Sequence, residues 1–347
     1  MTERGTRAEW LIFLLLGFIW GSSYLFIKVG LRDLDSELIA WARVALAACV
    51  LVPLAAARGA FRGLGSSLPL LTLLAAIQAA GPFLLIALGE QEISSSLTGI
   101  LVASTPIFTA LLAIWVDQEE RAQGMRLVGV AIGIVGVVVL LGLDLGGQVA
   151  ALLGGLAIVL ASLGYAIGGF IVKHRFGEVQ PVGVAAGVMV ASSVLLLPLA
   201  ALHVPGARPG VAETASVVAL GVLGTGIAFA IFYELMTTVG PARTFIVTYL
   251  APAFAVVYGA TLLDEEITAA TVAGVSLIVG GSYLAAEGRL PGSRKPPPVD
   301  VPPPPGAEAA ARPGIAPRRS ASEADRGRRG PPRSRSRRPT RADPADS

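Results

Sequence analysis

TPIFTALLAIWVDQEE, residues 105–120, and APAFAVVYGATLLDEE, residues 251–266, are two writings of one pattern. Pro106 aligns with Pro252, Phe108 with Phe254 and Glu120 with Glu266, each pair 146 residues apart. In both copies a proline sits inside an apolar run that would otherwise continue as helix, and a cluster of carboxylates closes it. A pattern that recurs at about half the length of the apolar region marks two copies of one structural unit. The correspondence extends outward from this stretch. Trp20-Gly21 and Lys28 meet Tyr165-Ala166 and Lys173, FLLIALGE at 83–90 lies opposite FAIFYEL at 229–235, and Gly129 and Gly136 match Gly274 and Gly281.

The residues that fill these copies belong in lipid. Of the 347 residues 54% are hydrophobic and only 15% charged, with a mean hydropathy of +0.70, whereas an ordinary soluble domain carries about 25% charged residues. Apolar runs long enough to cross a bilayer recur from Trp10 to Ala286, and whole helices offer no polar face. We place ten spans, near 10–28, 37–57, 68–88, 93–116, 125–143, 149–172, 180–202, 214–236, 241–263 and 268–286. The fold class is therefore an all-α polytopic membrane protein. A first five-helix repeat covers 10–143, a second covers 149–287, and a disordered C-terminal tail covers 288–347. Five is odd, so the second repeat enters the bilayer from the opposite side, the inverted arrangement on which many secondary transporters are built.

Charge sets the expected orientation. With the N-terminus inside, the connections on the inner side hold twelve Lys and Arg against three on the outer side, which places both termini in the cytoplasm of a multi-pass plasma-membrane protein. The first apolar run ends at Lys28 without a small-residue cleavage site and reads as a retained helix rather than a signal peptide. The tail from Gly288 carries 14 Lys and Arg against 6 Asp and Glu. Rich in Pro, Arg and Ser, it has too few large apolar residues to form a core. The high pI belongs to this tail and does not mark the chain as a nucleic-acid binder. Its sharper reading is contact with anionic inner-leaflet lipid.

Catalytic chemistry has little to stand on. The histidines are His174 and His203, both in connections, and Cys49 has no second cysteine to pair with. No span carries metal-ligand spacing, no nucleophile–base pair is visible within the membrane, and no phosphate-binding loop is present. The sequence thus points to no catalytic residue, metal or cofactor.

Polar and aromatic residues at membrane depth remain. Trp20, Tyr24 and Lys28 fall at i, i+4 and i+8, on one face of span one. Arg43 lies inside span two, where a charge costs about 2.5–3.5 kcal/mol unless it snorkels, pairs, or lines a polar cavity. Gln78 is mid-span, where a partnerless amide is expensive. Pro106 and Pro252, with Ser104 and Thr105 before one and Thr248 and Tyr249 before the other, each free a carbonyl that protein or cavity water must satisfy. Kinks in corresponding helices of both halves point to a central site. The substrate-cavity candidates are Trp20, Tyr24, Arg43, Gln78, Ser104, Thr105, Tyr165, Thr248 and Tyr249. Glu90 and Glu234, near span ends, are the candidate proton sites. Glu120 and Glu266 read as solvated helix boundaries, the alternative being that they accept hydrogen bonds at the starts of spans five and ten.

ALGEQEISSSLTGILVASTPIFTALLAIWVDQEE followed by GVAIGIVGVVVL, repeated as ELMTTVGPARTFIVTYLAPAFAVVYGATLLDEEIT followed by AGVSLIVGG, resembles the EamA domain of the drug/metabolite transporter superfamily. WGSSYLFIKVGL and WARVALAACVLVPL are similar to its opening spans. The resemblance covers about residues 10–287; it is specific in spans four, five, nine and ten and weaker in six and seven, where Arg43 has no counterpart. It implies a ten-helix carrier with a central cavity and alternating access. It further implies export of a small solute such as an amino acid, metabolite or drug, proton-coupled in some members. The rival reading is a membrane scaffold or lipid-binding protein acting through its basic tail, separable by deleting residues 288–347.

Overall fold

The computed structural model describes residues 3–64, 67–116, 124–144, 148–238, 244 and 247–288. The chain divides into a unit over Met1–Ser293 and another over Arg294–Ser347. The second unit lies outside the described residues, and with it the expectations for the tail; so do Asp117, Glu119 and Glu120.

The first unit is helical throughout its described length. Its helices are α1 (Glu3–Gly30), α2 (Ser36–Ala57), α3 (Leu68–Glu92), α4 (Ser95–Val116), α5 (Met125–Gly142), α6 (Val149–Arg175), α7 (Pro181–Ala201), α8 (Val211–Leu235), α9 (Val247–Leu262) and α10 (Ala269–Glu287). Among the described residues nine of these are long and apolar enough to cross a bilayer, and α9 is a shorter apolar helix. Together they form two inverted five-helix repeats.

Packing follows the duplication. Helix α2 lies along α7, and α5 along α10, so each of these pairs joins equivalent helices of the two repeats. Helix α1 packs on α8 and α9, and α6 on α3 and α4. Pro53 in α2 and Pro198 in α7, 145 residues apart, each sit inside a continuous helix. The α5–α10 contact is closed by glycine. A Cβ on Gly281 would run into the backbone of Gly133, and one on Gly129 into that of Leu284 and Ala285. Small residues let backbones approach closely where hydrophobic burial offers no drive between helices in lipid.

Three π-helical segments among the described residues were not expected from the sequence; Leu140–Asp144 ends α5, and the other two lie inside helices. Ala76–Ala80 in α3 and Val222–Ile227 in α8 are π-helical segments, and their first residues are 146 positions apart. Their local causes differ. In α3, Pro82 follows at the second position of the resumed α-helix and cannot donate to the carbonyl one turn back. In α8, the Thr225 hydroxyl donates to the carbonyl of Leu220, five residues earlier, at 3.0 Å. Single π-turns inside α-helices recur at functional sites.

The two prolines that open the pattern also behave differently. Helix α4 is interrupted before Pro106, with Ala103 and Ser104 in a turn between Ser95–Val102 and Thr105–Val116. Helix α9 runs through Pro252 without a break.

Candidate functional site

At the break in α4 Leu101 O keeps a main-chain donor, Ser104 N at 3.1 Å, while Val102 O and Ala103 O have none among the described residues, and hydroxyl groups reach all three. Leu101 O accepts from Ser104 Oγ at 2.6 Å and from Ser162 Oγ of α6 at 3.3 Å. Val102 O, the acceptor that Pro106 cannot serve, receives Thr105 Oγ1 at 2.8 Å. Ala103 O receives Ser282 Oγ of α10 at 2.6 Å. Ser104 and Thr105 therefore repair the backbone of their own helix, and these freed carbonyls are satisfied by protein rather than left for a solute.

Arg43 neither snorkels nor forms an ion pair within the described residues. Seven residues into α2, about 10 Å from its start, its side chain is buried, with the residue only 8% exposed. Its Nε donates to Thr225 Oγ1 at 2.9 Å. The guanidinium lies over the Phe83 ring, 3.8 Å from the centroid, a cation–π contact that strengthens away from water. Phe83 in turn meets Tyr165 edge-on at 6.3 Å. Tyr24, Tyr165 and Glu90 are the groups whose electrostatic fields reach Arg43. Helices α1, α2, α3, α6 and α8 thus converge on one buried cation.

The rest of the aromatic stripe on α1 diverges. Trp20 packs against Phe229 and Phe232 of α8, at 6.1 and 5.1 Å, while Tyr24 lies against Gly99 of α4, where a Cβ would come within 3.2 Å of its ring. Gln78 sits in the π-segment of α3 against Gly168 of α6, whose missing side chain makes room for the Gln78 stem. Tyr249 turns toward α10, donating to Ser282 O at 3.4 Å and meeting Tyr283 edge-on. Thr248 precedes it on α9, partly buried.

At the far end of α1, Lys28 Nζ donates to the main-chain oxygens of Glu90 and Ile93, at 2.7 and 2.8 Å. These carbonyls belong to the C-terminus of α3, where the helix dipole favours a cation. Across the two-residue connection, Glu265 serves the N-terminus of α4. Its carboxylate accepts from Ser95 N at 2.7 Å, Ser96 N at 3.0 Å and Ser96 Oγ at 2.6 Å. A left-handed Asp264, φ 54°, ends α9 and turns Glu265 back, and Gly259 leaves the space its carboxylate fills. One helix end thus receives a positive charge from α1 and the next a negative charge from the α9 end. A cavity of about 420 Å³ lies at this latch, lined in part by Lys28, Arg32, Gln91 and Glu265. Glu90 is fully buried, and both its carboxylate oxygens are without a hydrogen-bond partner.

Glu266 is exposed at the start of α10, as a solvated helix boundary, and does not cap that helix. The start of α10 is capped by Thr268 and Thr271, each hydroxyl bonded to the other residue's backbone N–H, and the carboxylate that serves a helix start is Glu265, at α4. At the opposite end of the bundle Arg58 and Glu234 form an exposed ion pair at 3.2 Å. Phe83, Thr225, Ser162, Ser282 and Glu265 were not singled out in the sequence. For Thr225 and Glu265 a signal existed, since one lies opposite the Gln78 segment and the other within the repeated acidic cluster.

The EamA-like transporter family matches residues 8–142 and again 152–286, the two halves of the bundle. The chain belongs to that family. As an EamA transporter of the drug/metabolite superfamily it has relatives along nearly its whole apolar length. The probable terminal-alkyne amino-acid exporter of Streptantibioticus cattleyicolor is 28% identical over 280 residues, 80% of this chain and 93% of that one. A probable amino-acid metabolite efflux pump of Escherichia coli is 25% identical over 292 residues, 80% and 95% of the two chains. A solved crystal structure shares the fold, with a TM-score of 0.58 at 21% identity over 81% of this chain and 98% of its own. Against this EamA framework, the Arg43 cluster lies within the bundle and the Lys28–Glu265 latch closes one end of it.

Proposed function

We infer that the protein is a secondary carrier that exports a small organic solute across the plasma membrane by alternating access, with both termini cytoplasmic. The observation that carries this reading is the charged latch at the Lys28 end. The Lys28 end is held by two charge-assisted contacts to helix termini, which are stronger than neutral hydrogen bonds. At the Arg58 end the ion pair is exposed, and such pairs contribute about 0–1 kcal/mol. With the termini inside, the latched end faces out, and breaking the latch is the step that releases solute. The names of the relatives support export of an amino acid or a metabolite derived from one. Trp20, Tyr24, Arg43, Gln78 and Tyr165 are the residues we assign to the solute path. Of the candidate proton sites, Glu90 fits a coupling role better than Glu234, because it is enclosed while Glu234 is exposed and paired with Arg58.

The test is solute release from proteoliposomes preloaded with labelled amino acids, with and without a pH gradient. A carrier gives saturable release and counterflow with unlabelled solute. Non-saturating release through an open pore would replace this reading with a channel.

A further inference from the structure

Arg43 is held in a way that leaves its binding edge free. The Nε edge is committed to Thr225 Oγ1, and that hydroxyl cannot turn away, because its own proton goes to Leu220 O. One face of the guanidinium is covered by Phe83. Rotation and tilt of the plane are therefore both fixed. What remains is the pair of terminal amino groups, Nη1 and Nη2, with four N–H donors. Among the described residues these have no hydrogen-bond partner, and neither do the hydroxyls of Tyr24 and Tyr165. None of them is among the fully enclosed unpartnered atoms, which are Ser36 Oγ, Ser95 Oγ and the two Glu90 carboxylate oxygens. The fork and both phenols are therefore not fully enclosed.

An unpaired cation inside a membrane bundle is costly, and its partner is ordinarily found beside it. Here no carboxylate among the described residues pairs with Arg43, and the buried Glu90 carboxylate has no hydrogen-bond partner. That leaves the place beside Arg43 open to an anion carried by a solute. A planar fork presenting two parallel N–H pairs matches a carboxylate bidentately, and the two phenols, from α1 and α6, add neutral donors on either side. One positive charge balances one negative charge, which is what a carboxylate supplies.

We propose that Arg43, with Tyr24 and Tyr165, forms a carboxylate-binding subsite, and that the solute carried by this protein bears a free carboxylate. This rests on the carrier reading above and narrows its substrate class. Thr225 and Phe83 are positioning residues: they aim the fork and do not touch the solute. The π-turn of α8 is what brings Thr225 to the guanidinium, which gives that distortion its purpose.

The experiment is isothermal titration calorimetry on the full chain in lipid nanodiscs. The probes are acetate, L-alanine, L-leucine and L-phenylalanine, and the carboxamide of each. At least one acid should bind saturably, and its carboxamide should bind about tenfold more weakly or worse, as expected when a charged hydrogen-bonded pair is replaced by a neutral one. Arg43→Lys, which keeps the charge and loses the fork, should weaken acid binding by a similar factor. Tyr24→Phe and Tyr165→Phe should each weaken it by a few-fold while leaving the melting temperature of the empty protein unchanged. Thr225→Val should weaken acid binding and Thr225→Ser should restore it. Equal binding of acid and amide, wild-type affinity in the two Tyr→Phe variants, or no binding by any acid in the series overturns the subsite. If acids bind through Arg43 yet preloaded proteoliposomes release none of them, the carrier reading falls and the subsite stands.

Discussion

Arg43 and Thr225 are 182 residues apart in the chain and 2.9 Å apart in the bundle. One comes from the first repeat and the other from the π-turn of the second, so the bond ties the two halves together at the buried cation. Thr225→Val keeps the shape of the side chain but removes the acceptor. The expected loss is about 1.5–3 kcal/mol, the range for a hydrogen bond to a charged group. Thermal unfolding in detergent should show it, and Thr225→Ser should recover most of it.

Glu265→Gln removes the negative charge from the start of α4 and leaves the shape intact. Loss of the charge–dipole term is expected to weaken the latch by about 1–2 kcal/mol. With Cys49 replaced by serine, a cysteine introduced at Gln91 should then react faster with a membrane-impermeant thiol reagent added from outside. An unchanged rate would mean that Glu265 does not hold this end closed; labelling from the inside alone would reverse the topology.

Gly281→Val places a branched side chain against the backbone of Gly133. Neither partner can withdraw, because both are main chain. The expected cost is about 1–3 kcal/mol, or separation of α5 from α10. A lowered melting temperature with earlier proteolysis would register it, whereas Gly280→Val, at a position with nothing within 4 Å, should be tolerated.

His203 lies beyond the end of α7, with Nδ1 2.8 Å from Leu199 O and Nε2 3.8 Å from Glu37 Oε1. The hydrogen bond to the Leu199 carbonyl, assisted by Glu37 and Asp35, raises its pKa above the usual histidine value. A raised folded-state pKa means the contribution is complete below about pH 6.5, the unfolded value, and is lost as pH rises through the folded one. The melting-temperature difference between wild type and His203→Gln should therefore be larger at acid pH than at alkaline pH. A difference that grows with pH would contradict this assignment.

The fold was legible because lipid imposes simple rules on composition. The spans showed as apolar runs, and the duplication showed in Pro106, Pro252 and the glycines of α5 and α10. The site was legible only in part. Arg43 stood out, since a charge within a span needs a partner, but nothing local named Thr225 as that partner. The π-turns inside α3 and α8 have no compositional mark; one is set by Pro82, the other by a hydroxyl reaching back five residues. A kink signal also misleads about vacancy. Proline predicts that carbonyls are freed, but whether Ser162 and Ser282 then occupy them depends on helices 61 and 179 residues away. The acidic cluster after α9 was visible, yet a left-handed Asp264 decided which of its carboxylates turned inward.

Two of the four hydroxyls at the break in α4, Ser162 and Ser282, belong to α6 and α10, which come from the other copy of the ancestral unit. They act as rivets between α4 and helices encoded far downstream, so the seam of the gene duplication is stitched across at the very place where the main chain is weakest.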